Sequence, residues 1–256
     1  LLNVLIVLYK YFFISYFSHK KNFFLSIFNI IFNQFVYFSY FFIIISNTRS
    51  LNNWSHFELI LLLGLYSLNK GIANLFTTSL YSIERYLKED RFDILLIRPV
   101  SPIILLLGDH IEVGEFLNIF IGVSLIAASL PNSSVINLYF SLIIIILYCV
   151  ISLLLLFSIR LICMTLSFWK FAGFPIAIAL DNIADFSKYP IDIYNNLFRF
   201  IFINILPFSV LSYFPALAIT KHHISYLVPS SAITVILLIF SLYLWNVGLS
   251  NYMTYY

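Results

Sequence analysis

Long apolar runs, broken at intervals by short polar stretches, fill the chain from residue 22 to residue 249. A helix needs about 20 apolar residues to cross the hydrocarbon core of a bilayer. Asn22 to Thr48 carries no charged residue and reads as span one, with His19, Lys20 and Lys21 just before it. Arg49 to Asn53 and Trp54 form a polar loop with an interfacial aromatic. Glu58 to Leu80 reads as span two, with Lys70-Gly71 inside it, so Lys70 must face protein or water, or snorkel. Span three runs from Pro102 to Leu130 and ends at the turn Pro131-Asn132-Ser133-Ser134. Span four is Val135 to about Ile159, stopped by Arg160, and span five is roughly Leu161 to Leu180, interrupted by Lys170, Gly173 and Pro175. Span six runs from Pro229 to about Leu249.

Two segments break this pattern. Tyr81 to Pro102 is the most charged window of the chain, with Glu84, Arg85, Lys88, Glu89, Asp90, Arg91, Asp93 and Arg98. Ile83, Tyr86 and Leu87 recur at helical spacing, and Glu84 and Lys88 stand at i, i+4, so its first half reads as a short surface helix. Pro99 and Pro102 close the segment, because proline disfavours helix at the preceding residue. The second segment is 190–221. Tyr194 to Thr220 is apolar enough to span, but Pro207 and Pro215 fall inside it. A pair of half-helices entering and leaving on one side fits this pattern, since irregular backbone at membrane depth is tolerated only where protein or water covers it. The competing arrangement makes the same residues a seventh full span.

The pattern therefore predicts an all-α polytopic membrane protein. It has six transmembrane helices, a charged element between spans two and three, and a re-entrant element before span six. The whole chain, 1–256, forms one membrane domain. Residues 1–21, apolar with Lys10 in the middle, read as an interface helix, because a charge at the bilayer centre costs roughly 2.5–3.5 kcal/mol on insertion scales. With the N-terminus in the cytoplasm, the cytoplasmic segments hold Lys10, Lys20, Lys21, Arg85, Lys88, Arg91, Arg98, Arg160 and Lys170, against Arg49, Lys188, Arg199 and Lys221 outside. That bias sets the orientation and puts 81–98 on the cytoplasmic side.

Composition narrows the classes. Of 256 residues 62% are hydrophobic and only 10% charged, with mean hydropathy +0.98, where a soluble domain carries about 25% charged residues. The net charge of +3 is small, and a bilayer, not nucleic acid, is the expected partner. Cys149 and Cys163 lie in apolar runs and read as packing residues, and the histidines at 19, 56, 110, 222 and 223 lack metal-ligand spacing. No phosphate-binding G-x-x-x-x-G-K-[ST] pattern and no G-x-S-x-G elbow occurs, so no bound cofactor and no enzyme activity of its own are expected. If the protein transports actively, the energy comes from another polypeptide or from an ion gradient.

Asp109, Glu112 and Glu115 stand at i, i+3, i+6, which gives them a broad common face if span three is helical there. They read either as an acidic wall of a cavity or as solvated first turns paired to Arg98 or Lys170. Lys70 is a further candidate for a pathway. Arg160 and Lys170 read as cytoplasmic anchors.

The run Phe92-Asp93-Ile94-Leu95-Leu96-Ile97-Arg98-Pro99-Val100-Ser101-Pro102 resembles the "LD-x-x-L-x-RPVSP" segment of type 2 ATP-binding-cassette (ABC) exporter permeases. Tyr189-Pro190-Ile191-Asp192-Ile193-Tyr194, Arg199-Phe200-Ile201, Pro207-Phe208 and Tyr213-Phe214-Pro215-Ala216 are similar to that family's "YP-x-x-IY … LR … P-F … YPA" run before the last helix. One departure is Asp90, where the family pattern has glycine. Asp tolerates a left-handed backbone better than most residues, so the turn is expected to survive. The resemblance implies a plasma-membrane permease subunit that pairs with a second copy or a sister permease and with separate ATP-binding subunits. It also implies that Glu84, Arg85, Lys88, Glu89, Arg98 and Pro99 couple to the ATPase, and that the segment holding Pro190, Pro207 and Pro215 forms an outer gate. The rivals are an ion-coupled carrier, which would call for internal pseudo-symmetry, and a membrane-embedded lipid-modifying enzyme, which would need a clustered acid/base or metal set.

Overall fold

The computed structural model describes residues 54–132 and 138–255, with isolated positions 7, 9, 24, 25, 28, 31, 32, 35 and 39 before them. The expected interface helix 1–21 and span one thus fall, but for those positions, outside the described residues. Among the described residues every element is helical and none is a strand. Helices His56–Lys88, Leu138–Trp169 and Ile224–Thr254 are each long and apolar enough to cross a membrane. With the shorter helices between them they make a polytopic membrane protein.

Helix α1 (His56–Thr77) begins at a capping box: Ser55 Oγ accepts from the Glu58 N–H, and Glu58 Oε2 accepts from the Ser55 N–H at 2.7 Å. A 3₁₀ turn, Thr78–Tyr81, leads without a break into α2 (Ser82–Lys88). α2 stops because Asp90 turns left-handed, with φ 52°. The Arg91 N–H then reaches the Tyr86 carbonyl at 2.9 Å and the Asp90 N–H the Leu87 carbonyl at 3.4 Å, a Schellman closure with Asp where Gly is usual. A single turn, α3 (Asp93–Leu96), and then α4 (Pro102–Leu107) follow.

The expected span three is not continuous. α4 ends at Gly108, residues 109–114 are irregular, and α5 (Glu115–Ser129) makes the rest. The cause is local: Asp109 is held by Arg85 and Tyr86, off the line of a helix continuing from α4. α5 runs antiparallel to α1 at very close range. A Cβ at Gly122 would stand 2.6 Å from the Leu68 nitrogen and 2.9 Å from the Gly64 carbonyl oxygen, so the crossing requires glycine.

The span-four boundary also differs. α6 (Leu138–Thr165) passes straight through Arg160 and continues as a 3₁₀ turn, Leu166–Trp169. Arg160 does not mark a membrane edge, because its guanidinium is buried among polar partners. Lys170, left-handed at φ 63°, turns the chain into α7 (Gly173–Ala184), which therefore starts the fifth pass later than expected. α7 and the 3₁₀ turns Asp185–Lys188 and Ile191–Ile193 run antiparallel to α1, from the level of Glu84 to that of Trp54.

Next come α8 (Asn196–Phe200), a π turn Ile201–Ile205, a break at Leu206-Pro207, a 3₁₀ turn Phe208–Leu211 and α9 (Tyr213–Lys221). Pro207 breaks the segment as its sequence suggested; Pro215 does not, and sits in the first turn of α9. The segment starts at Trp54, where Asp192 accepts from the indole N–H at 3.3 Å. It penetrates to Asn69, whose amide donates to the Leu211 carbonyl at 2.7 Å, about 20 Å along α1 at 1.5 Å per residue. It then returns to Trp54, with Lys221 Nζ 4.7 Å from the ring centre. The chain thus enters and leaves at one end of the bundle. α10 (Leu227–Tyr255) runs from there to the opposite end, where Tyr252 donates to Asp93 at 3.1 Å. The C-terminal end therefore lies at the Lys88 end of the bundle and not beside Trp54.

Candidate functional site

Charge is concentrated in two places, at the Lys88 end of the bundle and along its interior. At the Lys88 end, Glu84 is buried. One of its oxygens accepts from the Phe174 N–H at 2.6 Å, at the start of α7, and the other meets Lys88 Nζ at 2.5 Å. Negative charge at a helix N-terminus is favourable, so Glu84 serves as a remote cap of α7. Arg85 meets Asp109 at 3.1 Å, and the Tyr86 hydroxyl donates to Asp109 at 2.8 Å. Glu89 pairs with Arg91 at 3.1 Å, while Arg98 and Pro99 lie exposed on the link to α4. Phe92 anchors the link: it is fully buried, edge-to-face with Phe168 and with Tyr252, each at 5.2 Å between centroids. The charged stretch is thereby tied to α6, α7 and α10 at once.

Beside α2 opens a polar cleft of about 540 Å³, lined by Thr78, Tyr81, Ser82, Arg85, Asp109, His110 and Glu112. Asp109 and Glu112 line this cleft, and Glu115 stands apart from them. Asp109 binds Arg85 and Tyr86, Glu112 lies 3.3 Å from His110, and Glu115 turns inward to Asn74 at 2.8 Å and Asn118 at 2.7 Å. The helix that would have aligned them is replaced by the irregular link 109–114.

The interior network starts at Lys70. This residue does not snorkel: it pairs with Asp185, which also accepts from the Tyr66 hydroxyl and meets Lys188 at 3.2 Å. One turn away on α7, Asp181 accepts from Tyr81 and from Arg160, the latter at 2.8 Å. Arg160 also donates to Asn74 and Thr77, and it stacks against the Tyr81 ring at 5.4 Å. Asn74 passes the chain on to Glu115. Lys70, Arg160 and Lys188 balance Asp181, Asp185 and Glu115, as buried charge requires. Of these only Lys70 and Glu115 stood out in sequence. A signal for part of it exists: Tyr66, Lys70 and Asn74 stand at i+4 steps along α1, and Asp181 and Asp185 stand i, i+4 across the end of α7.

A third cluster closes the Trp54 end. Asp192 accepts from Trp54, from Tyr213 at 2.8 Å, and pairs with Arg199 at 3.0 Å. Pro190, two residues before it, is buried.

A polytopic helical bundle with one charged link and a broken hairpin before its last helix matches a known family over nearly its whole length. A family model described as ABC-2 family transporter protein covers residues 5–255. The chain belongs to the ABC-2 transporter family. No curated protein matches it, and no solved structure does. As an ABC-2 family member it is a membrane component of an ABC transporter, a multi-pass permease. Among the described residues no group of His, Cys, Asp and Glu is placed to hold a metal ion.

Proposed function

We propose that this chain is the permease subunit of an ABC exporter, that it forms the substrate pathway with a second permease, and that separate ATPase chains drive it. The observation that carries the reading is the position of the charged stretch. α2 is the direct continuation of α1, Glu84 holds the start of α7, and Phe92 and Asp93 hold the end of α10. A push on α2 is therefore delivered to three membrane helices together.

In this reading the Lys88 end is cytoplasmic and the membrane is the plasma membrane. Arg85, Lys88, Glu89 and Arg98 meet the ATPase, while Glu84 and Pro99 transmit its movement. The mixed signs of the stretch suit a protein partner better than an anionic lipid surface, which favours an excess of Lys and Arg. The hairpin with Pro190, Pro207 and Pro215 is the outer gate, and Lys70, Asp109, Glu112 and Glu115 are the polar residues nearest the pathway. The ATPase shifts the gate only by its differential contacts with the two states. Co-purification with candidate ATPase chains tests the reading, followed by a screen for compounds that stimulate ATP hydrolysis. A permease that retains no ATPase under conditions where it remains folded refutes it.

A further inference from the structure

A pocket of about 290 Å³ opens at the Lys88 end, between α2, the turn from α6 into α7, and α10. Lys88 reaches it from α2, Lys170 and Phe171 from the turn, and Tyr252 from α10. Its charge is not balanced. Glu84, also in its lining, meets Lys88 at 2.5 Å and is held from the other side by the Phe174 N–H. Lys170 is exposed, and among the described residues its ammonium has no partner. One positive charge is therefore left over, and an ammonium with three donors keeps some to spare at Lys88 as well. Lys170 is also the corner of the turn, at φ 63°, which a long side chain adopts less readily than glycine or asparagine would.

Depth makes this pocket informative. Two of the membrane-crossing helices, Leu138–Trp169 and Ile224–Thr254, end here: Trp169 stands next to Lys170, and Tyr252 comes just after Leu249, where the apolar run of α10 stops. The pocket thus lies at the level of the lipid headgroups. Its surroundings toward the membrane are apolar. Phe171 is 63% exposed, and α7 continues past it with Phe174, Ile176 and Ile178 exposed. A surplus cation beneath an apolar face suits a molecule that carries an anion and hydrocarbon together. A carboxylate from a protein partner would neutralise Lys170 but would not cover Phe171 and the start of α7. Basic side chains at a cytoplasmic membrane surface attract anionic lipid, and lysine meets phosphate as a point charge.

We propose that this pocket binds the phosphate of an anionic phospholipid of the cytoplasmic leaflet, between the ammonium groups of Lys170 and Lys88, with acyl chain along Phe171 and the apolar face of α7. The choice of leaflet rests on the permease reading above; the site itself does not. Lys88 belongs to the charged link and Lys170 to the turn into α7. One phosphate therefore ties the two elements through their cations, beside the tie that Glu84 makes through its carboxylate. A bound headgroup stiffens the joint by which α2 holds the start of α7. Without it, that joint rests on Glu84 alone and Lys170 keeps an unmatched charge.

The test uses full-length permease, purified in detergent without its ATPase and stripped of lipid. It is titrated in turn with dioleoyl phosphatidylglycerol, dioleoyl phosphatidylcholine, glycerophosphate and inorganic phosphate. Native mass spectrometry counts bound molecules, and the thermal midpoint is followed in parallel. Phosphatidylglycerol is expected to bind several-fold more tightly than phosphatidylcholine and to raise the midpoint, while the soluble phosphates do neither at the same concentration. Lys170→Asn and Lys170→Gly remove the charge and suit the left-handed turn. Both should bind phosphatidylglycerol several-fold more weakly with the lipid-free midpoint kept, and Lys170→Arg should bind it as the parent does. Parent-like affinity in the two uncharged variants overturns the site. Equal stabilisation by the soluble phosphates overturns the lipid and leaves a site for a free anion. Intact lipid binding in Lys170→Asn, with loss of the ATPase on co-purification, assigns Lys170 to the protein interface and overturns the proposal as well. ATPase binding is scored on a separate sample, so a permease that holds its ATPase but shows no lipid selectivity fails this inference and not the function.

Discussion

Glu84 accepts a hydrogen bond from the backbone N–H of Phe174 at 2.6 Å, across 90 residues of sequence. The bond joins the charged link to the start of the fifth pass and leaves the carboxylate buried between that N–H and Lys88. Glu84 is thus unlike its neighbours: Arg85 and Lys88 have side chains 60% and 73% exposed.

The first prediction follows from that difference. Glu84→Ala leaves the Phe174 N–H in the first turn of α7 unpaired and is expected to cost about 1–2 kcal/mol, as lost helix caps do. It should lower the thermal midpoint in detergent and uncouple ATP hydrolysis from transport. Arg85→Ala breaks an exposed pair of small worth, so it should leave the midpoint unchanged and weaken only ATPase binding, whereas Lys88→Ala removes the partner of a buried carboxylate and should fall between the two. Equal destabilisation by all three changes would contradict the distinct position of Glu84.

Arg160 carries the second prediction. Its side chain is 1% exposed and bound to Asp181, Asn74 and Thr77. Removing one member of a buried pair strands the other, at about 3–5 kcal/mol. Arg160→Ala should lose most folded protein. Arg160→Lys should also be poor, because a single ammonium does not reproduce the guanidinium fork. Combining Arg160→Met with Asp181→Asn should recover part of the loss, since no uncompensated charge then remains. Size-exclusion profiles of Arg160→Ala, Arg160→Lys, the double variant and its two component single changes test this; a double variant worse than the sum of its singles would refute the pairing.

These two residues also show what the chain displays before it folds. The membrane-spanning, all-helical character and the charged link are legible because apolar length and charge density need no tertiary information. Asp90 is legible too: a residue tolerant of positive φ stands where a helix must stop, and it adopts φ 52°. Arg160 was misread as a span end because a cation in an apolar run looks the same at a membrane edge and in a buried network. Only the partners on α1 and α7 distinguish the two, and they lie 83 and 21 residues away. The acidic trio failed for the opposite reason: its i, i+3, i+6 spacing implies a face only if the backbone is helical, and 109–114 is not.

That failure yields the third prediction. Asp109 binds Arg85 and Tyr86 while Glu115 binds Asn74 and Asn118, so Asn or Gln changes at these two should act independently. Midpoint shifts are expected to add within about 0.5 kcal/mol, as for separated sites. Glu115→Gln should be the larger, because Glu115 is buried between Asn74 and Asn118. Strong coupling between Asp109 and Glu115 would restore a shared acidic face.

Asp192 holds the hairpin to α1 through Trp54, Tyr213 and Arg199. Asp192→Ala should therefore free residues 196–221 without unfolding the bundle. Hydrogen exchange is the suitable measurement: faster exchange confined to α8 and α9 is expected, with α1 and α6 unchanged. Trp54→Phe removes only one of the bonds to Asp192 and should produce a smaller change of the same kind. Uniform acceleration across all helices would show that Asp192 supports the whole fold and not the hairpin.

The last prediction concerns the turn at Asp90. Its φ of 52° lies where an L side chain crowds the following carbonyl, at about 1–2 kcal/mol for most residues and less for Asp or Asn. Glycine removes that crowding but loses more conformational freedom on folding, an opposing effect of roughly 0.4–1 kcal/mol. Asp90→Gly should therefore leave the thermal midpoint equal or slightly raised. Asp90→Ala should lower it, and Asp90→Val should lower it further, because a β-branched side chain is least tolerant of this region. The same order should appear in coupling, since the Schellman closure from Arg91 to Tyr86 fixes the angle at which α2 hands over to the Phe92 anchor. A valine variant as stable as the glycine variant would mean that the backbone abandons the left-handed turn at little cost, and that the angle is set by Phe92 alone.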